Sequence, residues 1–191
     1  PAVFEHQTPE ANSKPAPNGT DALGCLAGAT TLPVTGETCQ GRRPSRHRNW
    51  GTTQIISFLE RISAEAKAKA GWNGFLVGDM AQPRGGPMLS GHASHQIGLD
   101  ADIWFTPLPS YKLTASERET MVPLEMVIDH RQLNPDTWTA SLAEFIKTVS
   151  RDPSVERIFV HPPPNCPLST RAGAQAVSLA HTRPLYVPPC P

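Results

Sequence analysis

Apolar residues recur at helical spacing in two stretches of the chain. Ile55, Ile56, Leu59, Ile62 and Ala66 predict an amphipathic helix over 53–70, and Gly71 follows as its stop signal. Leu142, Phe145, Ile146 and Val149 share one face of a second helix predicted over 139–149. Elsewhere the period shortens. Phe75-Leu76-Val77 is a short apolar run that Gly78-Asp79 leaves. Leu99, Ala101, Ile103 and Phe105 alternate with Asp100, Asp102 and Trp104, which is strand periodicity. Arg157-Ile158-Phe159-Val160 predicts a further buried strand, and a Gly/Pro-rich loop covers 82–91. Residues 1–24 show no periodicity and read as a flexible lead-in. Residues 161–191 hold eight prolines and no Asp or Glu, and no helical or strand period survives there. With no internal repeat and no linker, the pattern predicts a single α+β domain: a small antiparallel sheet flanked by helices and long loops, its body at 25–160.

Composition narrows the class. Twenty-one prolines among 191 residues, about twice the average ~5% usage, exclude a helical bundle throughout. Seventeen basic residues balance seventeen acidic ones, which argues against a nucleic-acid partner or an anionic membrane surface. No apolar run approaches the ~18–20 residues of a membrane span, so no transmembrane segment is expected. The chain opens at Pro1 and reads as a mature or trimmed form. Cys25, Cys39, Cys166 and Cys190 form no Cys-x-x-Cys pair. Their even count and wide spacing suit disulfides in an oxidising compartment, with buried free thiols as the alternative.

The segment from Ser90 to Trp104 carries the chemistry, with His92, His95, Asp100 and Asp102 close together. Imidazole nitrogen and carboxylate oxygen are donors that zinc prefers, at ~2.0–2.2 Å. A loop histidine can fold back over the start of the strand and meet a carboxylate at one ion. Asp100 and Asp102 fall on one strand face, so one can be a ligand while the other orients an imidazole. The competing readings are a surface hydrogen-bond cluster and a Ser-His-Asp triad using Ser90 or Ser94, which lacks a Gly-x-Ser-x-Gly elbow. The basic stretch Arg42, Arg43, Arg46, His47 and Arg48 is either a solvated loop or an anion contact.

The block Gly91-His92-Ala93-Ser94-His95-Gln96-Ile97-Gly98-Leu99-Asp100-Ala101-Asp102 resembles the signature of the penicillin-insensitive murein endopeptidases. These are periplasmic zinc peptidases of the lysostaphin/D-Ala-D-Ala metallopeptidase/hedgehog superfamily. Asn18-Gly19, Gly24 to Ala29, Thr31-Leu32-Pro33, Leu59 to Ser63, Leu76 to Met80, Pro83 to Gly86 and Arg157 to Val160 are similar to other blocks of that family. The resemblance covers roughly residues 18–160. It implies hydrolysis of peptide cross-links in peptidoglycan, chiefly D-alanyl–meso-diaminopimelyl bonds, by an exported periplasmic enzyme with zinc as cofactor and murein stem peptides as partner. It implies His95 and Asp102 as zinc ligands, and His92 as a further active-site histidine able to hold metal. Asp129 and His130 lie near another family Asp/His pair implicated in metal binding. Arg42 and Arg43 are candidates to hold a stem-peptide carboxylate. No oligomeric state is assigned.

One family feature is missing. The superfamily completes its site with His-x-His on a late strand, and this chain has none; only His130, His161 and His181 follow Asp102. Two protein ligands make a poor catalytic zinc site. One account is a reading-frame shift after Val160: codons for Asn165 to Leu168 and for Pro188 to Cys190, read one base later, can restore family-like residues, histidines among them. Another is a divergent tail in which His181 or His161 supplies the third ligand, His181 being the catalytic candidate. A third is a noncatalytic peptidoglycan-binding descendant. Outside the family, a secreted binding module held by disulfides remains the alternative class.

Overall fold

The computed structural model describes residues 7–8, 14–89, 92–128 and 132–159, and the backbone of 176–180. Helix α1 (Thr53–Ala70) starts where Thr52 Oγ1 accepts the Ile55 N–H at 3.4 Å, and ends at Gly71, whose φ of +69° is the left-handed stop its sequence predicts. Helix α2 (Ala115–Thr120) has no apolar period to announce it. It forms around a capping box in which Thr114 and Glu117 satisfy each other's backbone N–H. Helix α3 (Ala140–Ser150) is capped by Thr139 and turns Leu142, Phe145, Ile146 and Val149 inward.

A five-stranded sheet stands at the centre. Its strands are β4 (Cys39–Gly41), β6 (Phe75–Val77), β7 (Asp102–Pro107), β10 (Arg157–Phe159) and β11 (Ala176–Ala180), in the order β10-β11-β7-β6-β4. All neighbours are antiparallel except β4 and β6, which run parallel because α1 crosses between them. Three two-stranded ribbons surround it: β1 (Ala16–Thr20) with β2 (Leu23–Ala27), β3 (Thr30–Thr31) with β5 (Trp50–Gly51), and β8 (Val127–Ile128) with β9 (Gln132–Leu133). The chain is therefore α+β as its pattern predicts.

Strand alternation divides the molecule into two faces. Phe75, Val77, Ile103 and Phe105 point to α1 and α3 and join the main core with Leu59, Ile62 and Phe145. Leu76 and Trp104 point the other way, into a small cluster with Leu108 and Leu113. Asp102 shares the Trp104 face, so the candidate chemistry lies on the side away from α1 and α3.

Three expectations need correction. The lead-in does not extend to residue 24, because residues 16–24 belong to a hairpin whose register pairs Asn18 with Cys25. Its strands lack alternation because long-range bonds hold them, as described below. The tail is not without a strand: β11 lies between β10 and β7, with Ser178 opposite Asp102. Cys39 is a free buried thiol, not half of a bridge. It sits in the main core and burial pushes its pKa up to about 12. Cys166 and Cys190, the remaining candidates to pair with Cys25, lie outside the described residues.

The Phe145 ring stacks on Trp72 at 5.0 Å and tilts on Phe75 at 5.4 Å, tying α3 to α1 and the sheet. Phe145→Ala is expected to cost about 3–5 kcal/mol, measured as a lowered urea midpoint. Glu144→Ala, one position away on the exposed face, is expected to leave the midpoint within about 0.5 kcal/mol.

Candidate metal centre

Two backbone bonds fix the start of β7 against the end of β6. The Asp102 N–H donates to Asp79 O at 3.0 Å, and the Gly78 N–H to Asp102 O at 2.8 Å. Two buried carboxylates, Asp79 and Asp102, are thereby held side by side. A Cβ at Gly78 would crowd the Asp102 side chain and the Trp104 indole, at 3.1 and 3.2 Å.

The loop before β7 carries the imidazoles, and Gln96 anchors it. The buried Gln96 amide accepts from the Gly24 N–H at 3.1 Å and donates to Ala22 O and Ala93 O, each at 2.9 Å. Its backbone N–H donates to Asp21 O at 3.1 Å, and its carbonyl accepts from the Gly86 N–H at 2.9 Å. The β1–β2 hairpin thus clamps the loop from outside. Next to this clamp His95 adopts φ +66°, rare for a residue with a Cβ and a form of strain that collects at functional sites.

His95 is fully buried. Its Nδ1 lies 2.7 Å from Asp100 Oδ2, though off the N–H direction, and its Nε2 lies 3.6 Å from Asp102 Oδ1. The second distance is too long for a hydrogen bond, so a buried nitrogen is left orphaned beside a carboxylate. His92, 43% exposed, brings Nε2 to 3.2 Å from Asp102 Oδ2 and 3.8 Å from Asp79 Oδ2. One ligand atom each from His92, His95 and Asp102 falls within a mutual 4.8 Å. Tetrahedral ligands about 2.0–2.1 Å from zinc stand about 3.3 Å apart; the two imidazoles flank Asp102 on different oxygens, His92 Nε2 at 3.2 Å from Oδ2 and His95 Nε2 at 3.6 Å from Oδ1, so the three side chains are gathered near one point with their ligand atoms wider than a bound ion would hold them. Two nitrogens and one oxygen, with Asp100 behind His95, are the donor set and support that zinc takes.

Desolvation by burial pushes the His95 pKa down, but the Asp100 and Asp102 carboxylates outweigh it and raise the value to about 10. Without metal, His95 therefore carries a proton at neutral pH and balances its two acidic neighbours.

Asp79 is the site residue that its sequence context did not reveal. Its Oδ2 meets the Arg48 guanidinium at 2.8 Å and that of Arg46 at 2.8 Å. Arg48 is buried, whereas Arg46 is 23% exposed. The pairing of a Gly-Asp exit from a strand with the basic stretch 42–48 was the available signal. Arg42 and Arg43 are not brought to the His92–His95–Asp102 group. Arg42 donates to Met121 O at 2.7 and 3.2 Å and lies 3.9 Å over the Trp104 ring. Arg43 enters a 3-10 turn (Pro44–Arg46) with φ +48°, and its N–H donates to Arg118 O at 3.1 Å. Asp129, His130, His161, His181 and Ser90 lie outside the described residues.

The pattern of the penicillin-insensitive murein endopeptidases matches residues 17–188, nearly the whole chain, and the protein belongs to that family. A penicillin-insensitive murein endopeptidase of Haemophilus influenzae is 39% identical over 178 residues, covering 93% of this chain and 62% of its own length. One from Salmonella heidelberg is 36% identical over 169 residues, covering 88% and 61%. One from Yersinia pestis is 36% identical over 166 residues, covering 86% and 60%. The chain spans about three fifths of the length of these relatives.

A His95 pKa raised from 6.5 to about 10 makes its contribution to folding fully present below pH 6.5 and lost as pH rises through 10. Metal-free protein is expected to lose stability between pH 7 and 10, with a smaller loss in His95→Gln, read as urea midpoints. Metal must displace that proton, so zinc affinity is expected to climb about tenfold per pH unit over the same range, read by competition with a chromophoric chelator.

Proposed function

We propose that the chain is a zinc-dependent peptidase that hydrolyses peptide cross-links of peptidoglycan, the D-alanyl–meso-diaminopimelyl bond in particular, in the periplasm. The observation that carries the reading is the convergence of His92, His95 and Asp102, with an orphaned buried nitrogen on His95, in a chain of this family.

In this reading His95 Nε2, Asp102 and His92 Nε2 hold the zinc, so His92 takes the place of the absent late-strand histidine. Zinc held there supplies Lewis-acid polarisation of the scissile carbonyl and lets a water lose its proton near neutral pH. Asp100 keeps the His95 ring oriented from behind. Asp79, held by Arg46 and Arg48, lies 3.8 Å from His92 Nε2 and helps to position that ring. Arg46, the exposed member of the Asp79 cluster, is placed to hold a stem-peptide carboxylate, a role sequence reading gave to Arg42 and Arg43. Asp129 and His130 stay proposed as contributors to a second metal, and His181 as a catalytic histidine of the tail. No serine nucleophile is used, so a β-lactam that acylates serine would not inhibit this chemistry. The disulfide proposal narrows to Cys25 with Cys166 or Cys190.

A second reading, a peptidoglycan-binding descendant without catalysis, is favoured by one observation. The register puts Ser178 of β11, not a histidine, opposite Asp102. This is the strand position from which a third ligand could reach Asp102. A frame-shifted or divergent tail at 161–191 would account for it.

Purified protein is expected to hold about one zinc per chain by elemental analysis. His95→Ala should lose it, together with hydrolysis of a cross-linked muropeptide dimer. Asp100→Asn should keep the fold and weaken zinc by about 10–100-fold. Folded protein without zinc, still retained by sacculi, would overturn the peptidase reading in favour of the binding one.

A further inference from the structure

The side-chain amide of Gln96 is buried between two parts of the chain and spends both of its hydrogens there. Its Oε1 accepts the Gly24 N–H at 3.1 Å, and its Nε2 donates to Ala22 O and to Ala93 O, each at 2.9 Å. Ala22 and Gly24 belong to the β1–β2 hairpin, whereas Ala93 directly follows His92. One side chain therefore grips the hairpin with one hydrogen and the histidine loop with the other. The Gln96 backbone repeats the grip, since its N–H donates to Asp21 O at 3.1 Å. His95 is the residue before it, held at φ +66°. Both imidazoles are thus tied to the same point, with ring centroids 4.9 Å apart and edge to face.

From this arrangement we infer that Gln96 is a positioning residue of the metal centre: by bridging the hairpin to Ala93 O it sets how the His92 imidazole stands relative to His95, and so how tightly the centre holds a divalent cation. The inference rests on the metal reading of His92, His95 and Asp102. Two of these three are fixed by other means. Asp102 is locked by its backbone bonds to Gly78 and Asp79, and His95 is buried against Asp100. His92 is 43% exposed and has the most freedom. On its C-terminal side that freedom ends at Ala93, whose carbonyl Gln96 holds.

Two substitutions separate positioning from charge. Glu has the shape of Gln but no N–H when ionised, so Gln96→Glu turns an oxygen on Ala22 O and Ala93 O and opens both bonds. It also adds a negative charge near the centre, which by Coulomb attraction alone favours a cation. Weaker metal binding in that variant therefore runs against its charge. Gln96→Met removes the same bonds with no change of charge. Stability is separated by Phe145→Ala, which opens the main core on the other face of the sheet. A centre limited only by overall stability would weaken there as well.

The test is the zinc affinity of the whole chain at pH 7, by competition with a chromophoric chelator. Beside it stand the urea midpoints of the metal-free proteins and the visible spectra of the cobalt-loaded ones. Gln96→Glu and Gln96→Met are each expected to weaken zinc about 10–100-fold, with cobalt bands shifted by the changed ligand geometry. Phe145→Ala should lower the urea midpoint and keep the parent's zinc affinity and cobalt bands. Thr20→Val removes only the Oγ1 that accepts the Leu23 N–H at the exposed hairpin turn and touches no ligand. It should weaken zinc in the same direction by a smaller factor, and it decides the matter if the position-96 variants do not fold. Parent-like affinity and bands in the position-96 variants, or in Thr20→Val where those fail to fold, would overturn the role of Gln96. An equal loss in Phe145→Ala would do the same. A parent that binds no zinc removes the metal reading and this role with it. Zinc bound without cleavage of muropeptide dimers removes the peptidase reading alone and leaves the affinities to judge Gln96.

Discussion

Burying His95 together with Asp100 and Asp102 is the constraint around which the rest of this structure is arranged. All three are shut away from water, and an isolated buried charge is expensive unless it is paired. Two carboxylates around one imidazole satisfy this with a proton on His95, or with a cation in its place. Among the described residues His95 Nε2 has no hydrogen-bond partner, and the nearest group to it is the Asp102 carboxylate at 3.6 Å, a place that a proton or a cation can fill.

Such a cluster holds its geometry only if the surrounding backbone cannot relax, and most of the unusual features of the fold serve that end. Gln96 ties the histidine loop to the β1–β2 hairpin through both ends of its amide. Gly85, at φ +63°, brings its turn so near Gln96 O and the Leu26 N–H that a Cβ would collide with backbone on both sides. Asp102 donates its backbone N–H to Asp79 O and accepts from the Gly78 N–H across the β6 exit. Arg48 and Arg46 both pair with Asp79 and neutralise it. The main core lies on the other side of the sheet, so the polar face is free to be strained, charged and partly open while the helices supply stability.

Much of this was legible in the chain. Helices α1 and α3 are read from their apolar period because each buries one stripe against the sheet. The alternation around Ile103 and Phe105 is read because one face of β7 is greasy and the other is not, although the strand itself begins only at Asp102. Helix α2 and the hairpin were not legible. The first rests on a local capping box with a single buried side chain, Arg118. The second is held by bonds from residues some seventy positions away, and such pairing leaves no period. Strand β11 escaped for a related reason: it pairs on both edges with strands distant in sequence, so its backbone is satisfied whatever its side chains spell.

For the site, the sequence by itself determined the candidate donors, because His, His, Asp and Asp within one short block offer metal-ligand chemistry by residue type and spacing. It also determined which strand face they share. Only the tertiary structure decided the roles: that Asp100 backs His95, that Asp102 lies between two imidazoles, and that Asp79 belongs to the cluster. It also placed Arg46 against Asp79 and Arg42 against Trp104 and Met121. The physical reason is common to all of these. Ligand type is a property of a side chain, whereas charge compensation is a property of what is buried beside it, and burial is settled by contacts between segments that the linear order keeps apart.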